Sequence, residues 1–187
     1  MLGLARAIYK AKWLTSGQSD DLERAFEYYF RGYSEGIMED FGYTAINAAY
    51  VLDLLAYQSR RFHSQIVTCS ELQTRATRIR EEIVNTLPRV LNAQPSMDGQ
   101  WWFLVTIAEA YFGLGRHDDA REWLRKAQLL DPDEWELEST ARQFVSLLHR
   151  QGDQARLSDR SAAWRVIEEL LGQRANSLST ADRGNCR

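Results

Sequence analysis

The sequence predicts an all-α protein, a right-handed α-solenoid of about four antiparallel helix pairs. Three observations carry that prediction. The stretch Trp101 to Pro132, WWFLVTIAEAYFGLGRHDDAREWLRKAQLLDP, reads as two helices folded back at Gly115. A degenerate second copy of its spacing recurs near the N-terminus, at Ala25, Tyr29 and Gly32. The whole chain holds only 3 prolines, and no segment alternates convincingly enough to be a strand.

Within the central hairpin, Leu104, Ile107, Ala108 and Tyr111 fall on one stripe of the first helix. Ala120, Leu124 and Ala127 form the facing stripe of the second, and Pro132 closes the unit. Small residues are needed at Ala108, Ala120 and Ala127 because the helices cross closely there. The order resembles the tetratricopeptide repeat: bulky, bulky, small and aromatic, then small, bulky and small, then proline. Leu104 stands where that pattern usually has Trp, and Ala108 where it often has Gly. The competing reading is an ordinary helical hairpin. Neither can bury its own face alone, so neighbouring helices must complete the core.

The remaining elements follow in order. Leu4, Ile8, Tyr9 and Trp13 make residues 4–15 an amphipathic first helix. A second starts at Asp20, with Glu23 three places on, and runs to about Tyr33. Gly36 and Gly42 bracket a break, and a third helix runs from about Tyr43 to Gln58. A polar interval, Ser59 to Val67, precedes a fourth helix that starts at Thr68 or Ser70 and reaches about Leu87. Its expected buried stripe is Leu72, Ala76, Ile79, Ile83 and Leu87. Pro88 and Pro95 frame a connection ending at Asp98, the expected N-cap of the central hairpin. After that hairpin, Asp131 is read as a capping acid and Pro132 as a first-turn proline. The next helix, about Glu134 to Arg150, turns Leu137, Ala141, Phe144, Val145 and Leu148 inward. A last one, Ser161 to about Leu171, buries Ala162, Val166, Ile167 and Leu170 as a terminal cap. Residues 1–172 are therefore expected to form one helical-repeat domain, and 173–187 a disordered tail.

Composition narrows the function. Hydrophobic residues make up 44% and charged residues 26%, as in an ordinary soluble globular chain. A net charge of −3 gives no general attraction to nucleic acid or to an anionic membrane. No apolar run approaches the roughly 18 residues of a membrane span, and no signal peptide is read at the start. Cys69 and Cys186 are too few for a disulfide framework, so a cytoplasmic setting is expected.

Several longer motifs sharpen the reading. Ile8-Tyr9-Lys10 and Trp13-Leu14 precede a helix ending Tyr28-Tyr29-Phe30-Arg31-Gly32-Tyr33. Ala45-Ile46-Asn47-Ala48-Ala49 follows, then Trp101-Trp102 and Trp135-Glu136-Leu137-Glu138-Ser139-Thr140. Over roughly residues 4 to 150 this order resembles the TRAFs-binding domain of the apoptosis signal-regulating kinases and many bacterial multidomain proteins. The resemblance implies a helical module that binds other proteins or holds an attached effector domain. It implies no catalytic residue and no cofactor.

In such a repeat the first helix of each pair lines the concave groove. The expected partner-binding positions are Tyr43, Tyr50 and Asp53, with Ile46 beside them, and Trp102, Val105, Glu109 and Phe112. Aromatics flanked by acids suit a peptide with apolar anchors and a basic residue. The alternative is that Trp102 and Phe112 are core. Expected structural residues are Asn47, Ala108, Tyr111, Gly115, Ala120, Ala127 and Pro132, with Trp101, Trp123 and Trp135 packing between repeats. Asn47 is expected to tie helices through backbone groups.

Other clusters read as structural. Arg75, Arg78 and Arg80, with Arg60 and Arg61, make a basic stripe that Glu81 and Glu82 interrupt, so a solvated face is expected over a nucleic-acid surface. Asp131, Asp133, Glu134, Glu136 and Glu138 lack calcium-loop spacing, and no metal site is assigned. His63, His117 and His149 have no partner motif, and His117 is expected to be exposed. Cys69 is expected to be half-buried near a helix start. The sequence reading is therefore a non-enzymatic adaptor or regulatory module that binds a protein or peptide. Two alternatives stay beside it: a non-catalytic sensor or scaffold part of a multidomain enzyme, and an all-helical enzyme pairing Glu109 with Asp53.

Overall fold

A computed structural model describes residues 12, 19–61, 66–151 and 157–171. The expected first helix (apart from Lys12), His63, Gly152, Cys186 and the tail from Gln173 lie outside the described residues. Among the described residues there are seven α-helices and no strand. They are α1 (Ser19–Ser34), α2 (Tyr43–Arg61), α3 (Ile66–Ala93), α4 (Trp101–Gly113), α5 (His117–Gln128), α6 (Glu134–Gln151) and α7 (Leu157–Leu171). A 3-10 turn, Pro95–Gly99, precedes α4. The chain divides into two compact units, Met1–Arg89 and Val90–Arg187.

In the first unit, α1 buries Leu22, Ala25 and Tyr29, and α2 buries almost every residue from Thr44 to Leu52. Cross-helix pairs fix the directions. Asp53 and Arg60 of α2 meet Arg80 and Cys69 of α3, so α2 and α3 run antiparallel. Arg75 lies over the rings of Phe26 and Phe30, and Tyr33 donates to Glu82, so α1 and α3 run parallel. Ala76, Arg80 and Ile83 are buried at the same offsets as Ala120, Leu124 and Ala127. Thus α3 is the second helix of a repeat whose first helix is α2, and an arginine sits where the repeat normally carries a bulky apolar residue.

The expected end of this helix at Leu87 is corrected: α3 runs through Pro88 to Ala93. Proline removes one helical hydrogen bond and crowds the preceding turn. Leu87 and Val90 are buried on either side of it and hold the last turns in place. The start is also earlier, at Ile66, and α2 extends to Arg61. Asn47 is buried, and its side-chain amide donates to the Tyr43 carbonyl at 2.9 Å, one turn back in its own helix.

In the second unit, α4 and α5 form the central hairpin. Gly115 has φ +74 in the turn. The Arg116 N–H bonds the Tyr111 carbonyl at 2.9 Å and the Gly115 N–H bonds that of Phe112 at 3.0 Å. That is the Schellman pattern, whose left-handed position favours glycine. Ala108, Ala120 and Ala127 are fully buried, as close helix crossing requires. Tyr111 is half-buried beneath the Arg116 guanidinium, 4.6 Å from its ring centre, and Pro132 is half-buried.

Two caps differ from expectation. Asp98 lies inside the 3-10 turn, and Gln100, in extended conformation, precedes α4 without a side-chain cap. Asp131 has φ +52 and closes the turn after α5, so it cannot supply the extended backbone of an N-cap. Asp133 takes that position for α6: its N–H is bonded by Glu136 at 3.0 Å, one half of a capping box.

Leu104, Ala108 and Tyr111 recur thirty-three residues on as Leu137, Ala141 and Phe144. Ala163, Ile167 and Leu170 of α7 are buried with the four-and-three spacing of Ala120, Leu124 and Ala127. Ala163 therefore faces inward in place of the expected Ala162, which is half-buried. So α6 and α7 form a further pair of the same type, the last of the expected helix pairs. Arg121 and Arg125 of α5 reach Glu169, and Gln128 bonds the Glu169 carbonyl at 3.1 Å, joining the two second helices.

Candidate functional site

The seven groove positions separate by burial. Tyr43 and Trp102 are each 40% exposed. Tyr50, Val105, Glu109 and Phe112 are buried, Phe112 completely, and Asp53 retains only 12% of its side-chain surface. Ile46 is buried as well. The expectation of exposure at Phe112 is corrected by its neighbour. Its ring stacks on Phe144 of α6 with centroids 4.4 Å apart and planes 24° from parallel. His117 stacks on Phe112 at 5.2 Å, which leaves that histidine half-buried and not in the solvent.

The two acids expected in the groove are tied into the fold. Glu109 accepts a hydrogen bond from the Gln143 amide at 2.5 Å, across α4 and α6. Asp53 accepts from Arg80 at 2.5 Å, and Arg80 is 2% exposed, its buried Nε without a hydrogen-bond partner among the described residues. They lie in different compact units. Each acid is held by a helix neighbour within its own unit.

The basic stripe expected on α3 separates too. Arg75 covers two phenylalanine rings, Arg80 is interior, and Arg78 remains exposed beside Thr74, Thr77 and Glu81. Cys69 is buried, with the Arg60 Nε at 3.1 Å from its sulfur. Among the described residues no group of acids, histidines or cysteines is arranged to hold a metal ion. None of the described helices is long and apolar enough to cross a membrane.

The structure also presents a residue that the sequence reading had as packing. Trp135 is 65% exposed at the start of α6, its indole N–H donated to the Asp133 carboxylate at 3.2 Å. It occupies in α6 the place of Trp102 in α4, thirty-three residues earlier. Extending the repeat offset across Pro132 is the signal that finds it. Burial pushes the Tyr111 phenol up from its ordinary value, with Arg116 acting against that rise.

Compared with models of protein families, residues 1–52 match TPR-S, the Tetratricopeptide Repeats-Sensor family. The match takes in α1 and the first turns of α2. No curated protein and no solved structure matches the chain. Together with the repeat offsets, the match defines the class: an all-helical, tetratricopeptide-like repeat protein.

Proposed function

We propose that this chain is a non-enzymatic interaction module, an adaptor or regulatory element that grips a protein or peptide along the first helices of its repeats. The observation that carries this reading is the repeated display of large aromatics on those helices. Tyr43, Trp102 and Trp135 all begin such a helix and stand in solvent, while the second helices turn their small residues inward. Aromatic side chains offer large contact area at low entropic cost, and such residues are enriched at the cores of interfaces. The motif order, which resembles that of the TRAFs-binding domain, favours a regulatory protein partner over a small-molecule substrate. Two cysteines, too few for a disulfide framework, favour a cytoplasmic setting.

A second reading is favoured by the sensor family matched over residues 1–52. Here the repeats act as the sensing or scaffolding part of a system and hold its effector domain. Affinity capture with a tagged chain tests the common core of both readings. One protein or effector domain should be recovered in stoichiometric amount, and lost with Tyr43→Ala or Trp102→Ala while the helical circular dichroism is unchanged. Recovery that ignores both substitutions would remove these surfaces from consideration.

A further inference from the structure

We propose that Trp102 and Trp135, with the carboxylates around the start of α6, form a docking surface for a cationic polypeptide segment. The segment would carry an arginine or lysine next to an apolar side chain. This deepens the interaction reading above and rests on it.

Register places the two rings at equivalent positions of neighbouring helices. Glu109 meets Gln143 and Phe112 meets Phe144, so α4 and α6 lie side by side and run parallel, displaced by about one repeat. Trp102 and Trp135 are equivalent in that register, near the N-terminal ends of adjacent helices whose axes lie about 8–10 Å apart. A single exposed apolar residue is ordinary on a protein surface. Two exposed indoles at matching positions of neighbouring helices offer two apolar anchor points one repeat apart.

Charge decides the occupant. Asp133, Glu134, Glu136 and Glu138 crowd the first turns of α6 around Trp135, and Asp98 is exposed just before α4. The positive end of a helix dipole amounts to about half an elementary charge, well short of balancing those acids. No lysine or arginine occurs in residues 90–115 or 129–141. Arg142 is paired with Glu138 at 3.6 Å and offsets one carboxylate. The surface is therefore apolar and strongly negative. The bond from the Trp135 indole to Asp133 also holds a carboxylate at the ring edge. A guanidinium laid on the ring face would meet both the π-cloud and that acid.

Fluorescence anisotropy with the full chain tests this, using fluorescein-labelled peptides of Gly-Arg-Leu repeats and their Gly-Glu-Leu counterparts. The arginine peptide should bind. Trp135→Ala, and separately the pair Glu134→Gln and Glu138→Gln, should each weaken it by about tenfold. Added salt should weaken it further. Glu122→Gln, on the exposed side of α5, should leave binding unchanged. Failure of the arginine peptide to bind would overturn the proposal, as would equal binding of the glutamate peptide or indifference to Trp135→Ala with helicity intact. A captured partner that depends on Trp102 and carries no cationic segment would sink this inference alone and leave the interaction module standing.

Discussion

Arg80 of α3 donates to Asp53 of α2 at 2.5 Å from an almost wholly buried position. The guanidinium occupies the inward place that Leu124 fills in α5, so a charge has been taken into the interior and matched with one carboxylate. Removing one partner of a buried pair leaves the other uncompensated, at about 3–5 kcal/mol. Asp53→Ala should therefore lower stability by that order in chemical denaturation. Arg80→Met should cost less, because methionine fills the site and Asp53 keeps some access to water.

Helix crossing in the central hairpin gives a second expectation. Ala120 is fully buried opposite α4. Ala120→Leu should overpack the crossing and lower stability by about 1–3 kcal/mol, read from the shift in denaturation midpoint. Phe112→Ala, which deletes a ring stacked on Phe144, should cost more, about 3–5 kcal/mol.

Alkaline pH should loosen the first unit. The Tyr33 phenol is raised to about 12 by burial and then by its bond to Glu82. A folded-state value above the unfolded one means that its contribution is complete below about pH 10 and is lost as pH rises towards 12. Tyr33→Phe should flatten that part of the stability profile. Following the phenolate absorbance during titration reports the same change directly.

Acid should act on α7. Arg121 first, and Arg125 less, hold the Glu169 carboxyl below its usual range against the opposing effect of burial. The contribution is present above the ordinary carboxylate value, about 4.3, and is lost as pH falls through the lower folded value. Amide exchange in α7 should accelerate in that window and should not do so in Glu169→Gln, which is already without the charge.

The repeat was legible in the sequence wherever small residues set it. Ala108, Ala120 and Ala127 announced the hairpin, and Gly115 its turn, because close crossing and left-handed backbone admit few residue types. Arg80 and Ala163 escaped for different reasons. An arginine at the inward place of α3 does not look like core until Asp53 is beside it. Ala162 and Ala163 are equally small, so the sequence does not say which faces inward, while Ile167 and Leu170 are expected there from the outset. Burial at Phe112 and exposure at Trp135 depend on which helix arrives alongside, and no single-helix pattern contains that. Pro88 misled through a real rule, since buried neighbours on both sides outweigh the hydrogen bond it removes.

Site-specific photocrosslinking tests the proposed partner contacts most directly. A benzophenone amino acid placed at Tyr43, Trp102 or Trp135 in living cells should capture another polypeptide at defined residues, and the same group at Glu122 should not. Labelling at Glu122 as strong as at the aromatic positions, or no polypeptide captured at any of the three, would contradict a protein that works by gripping a partner along its first helices.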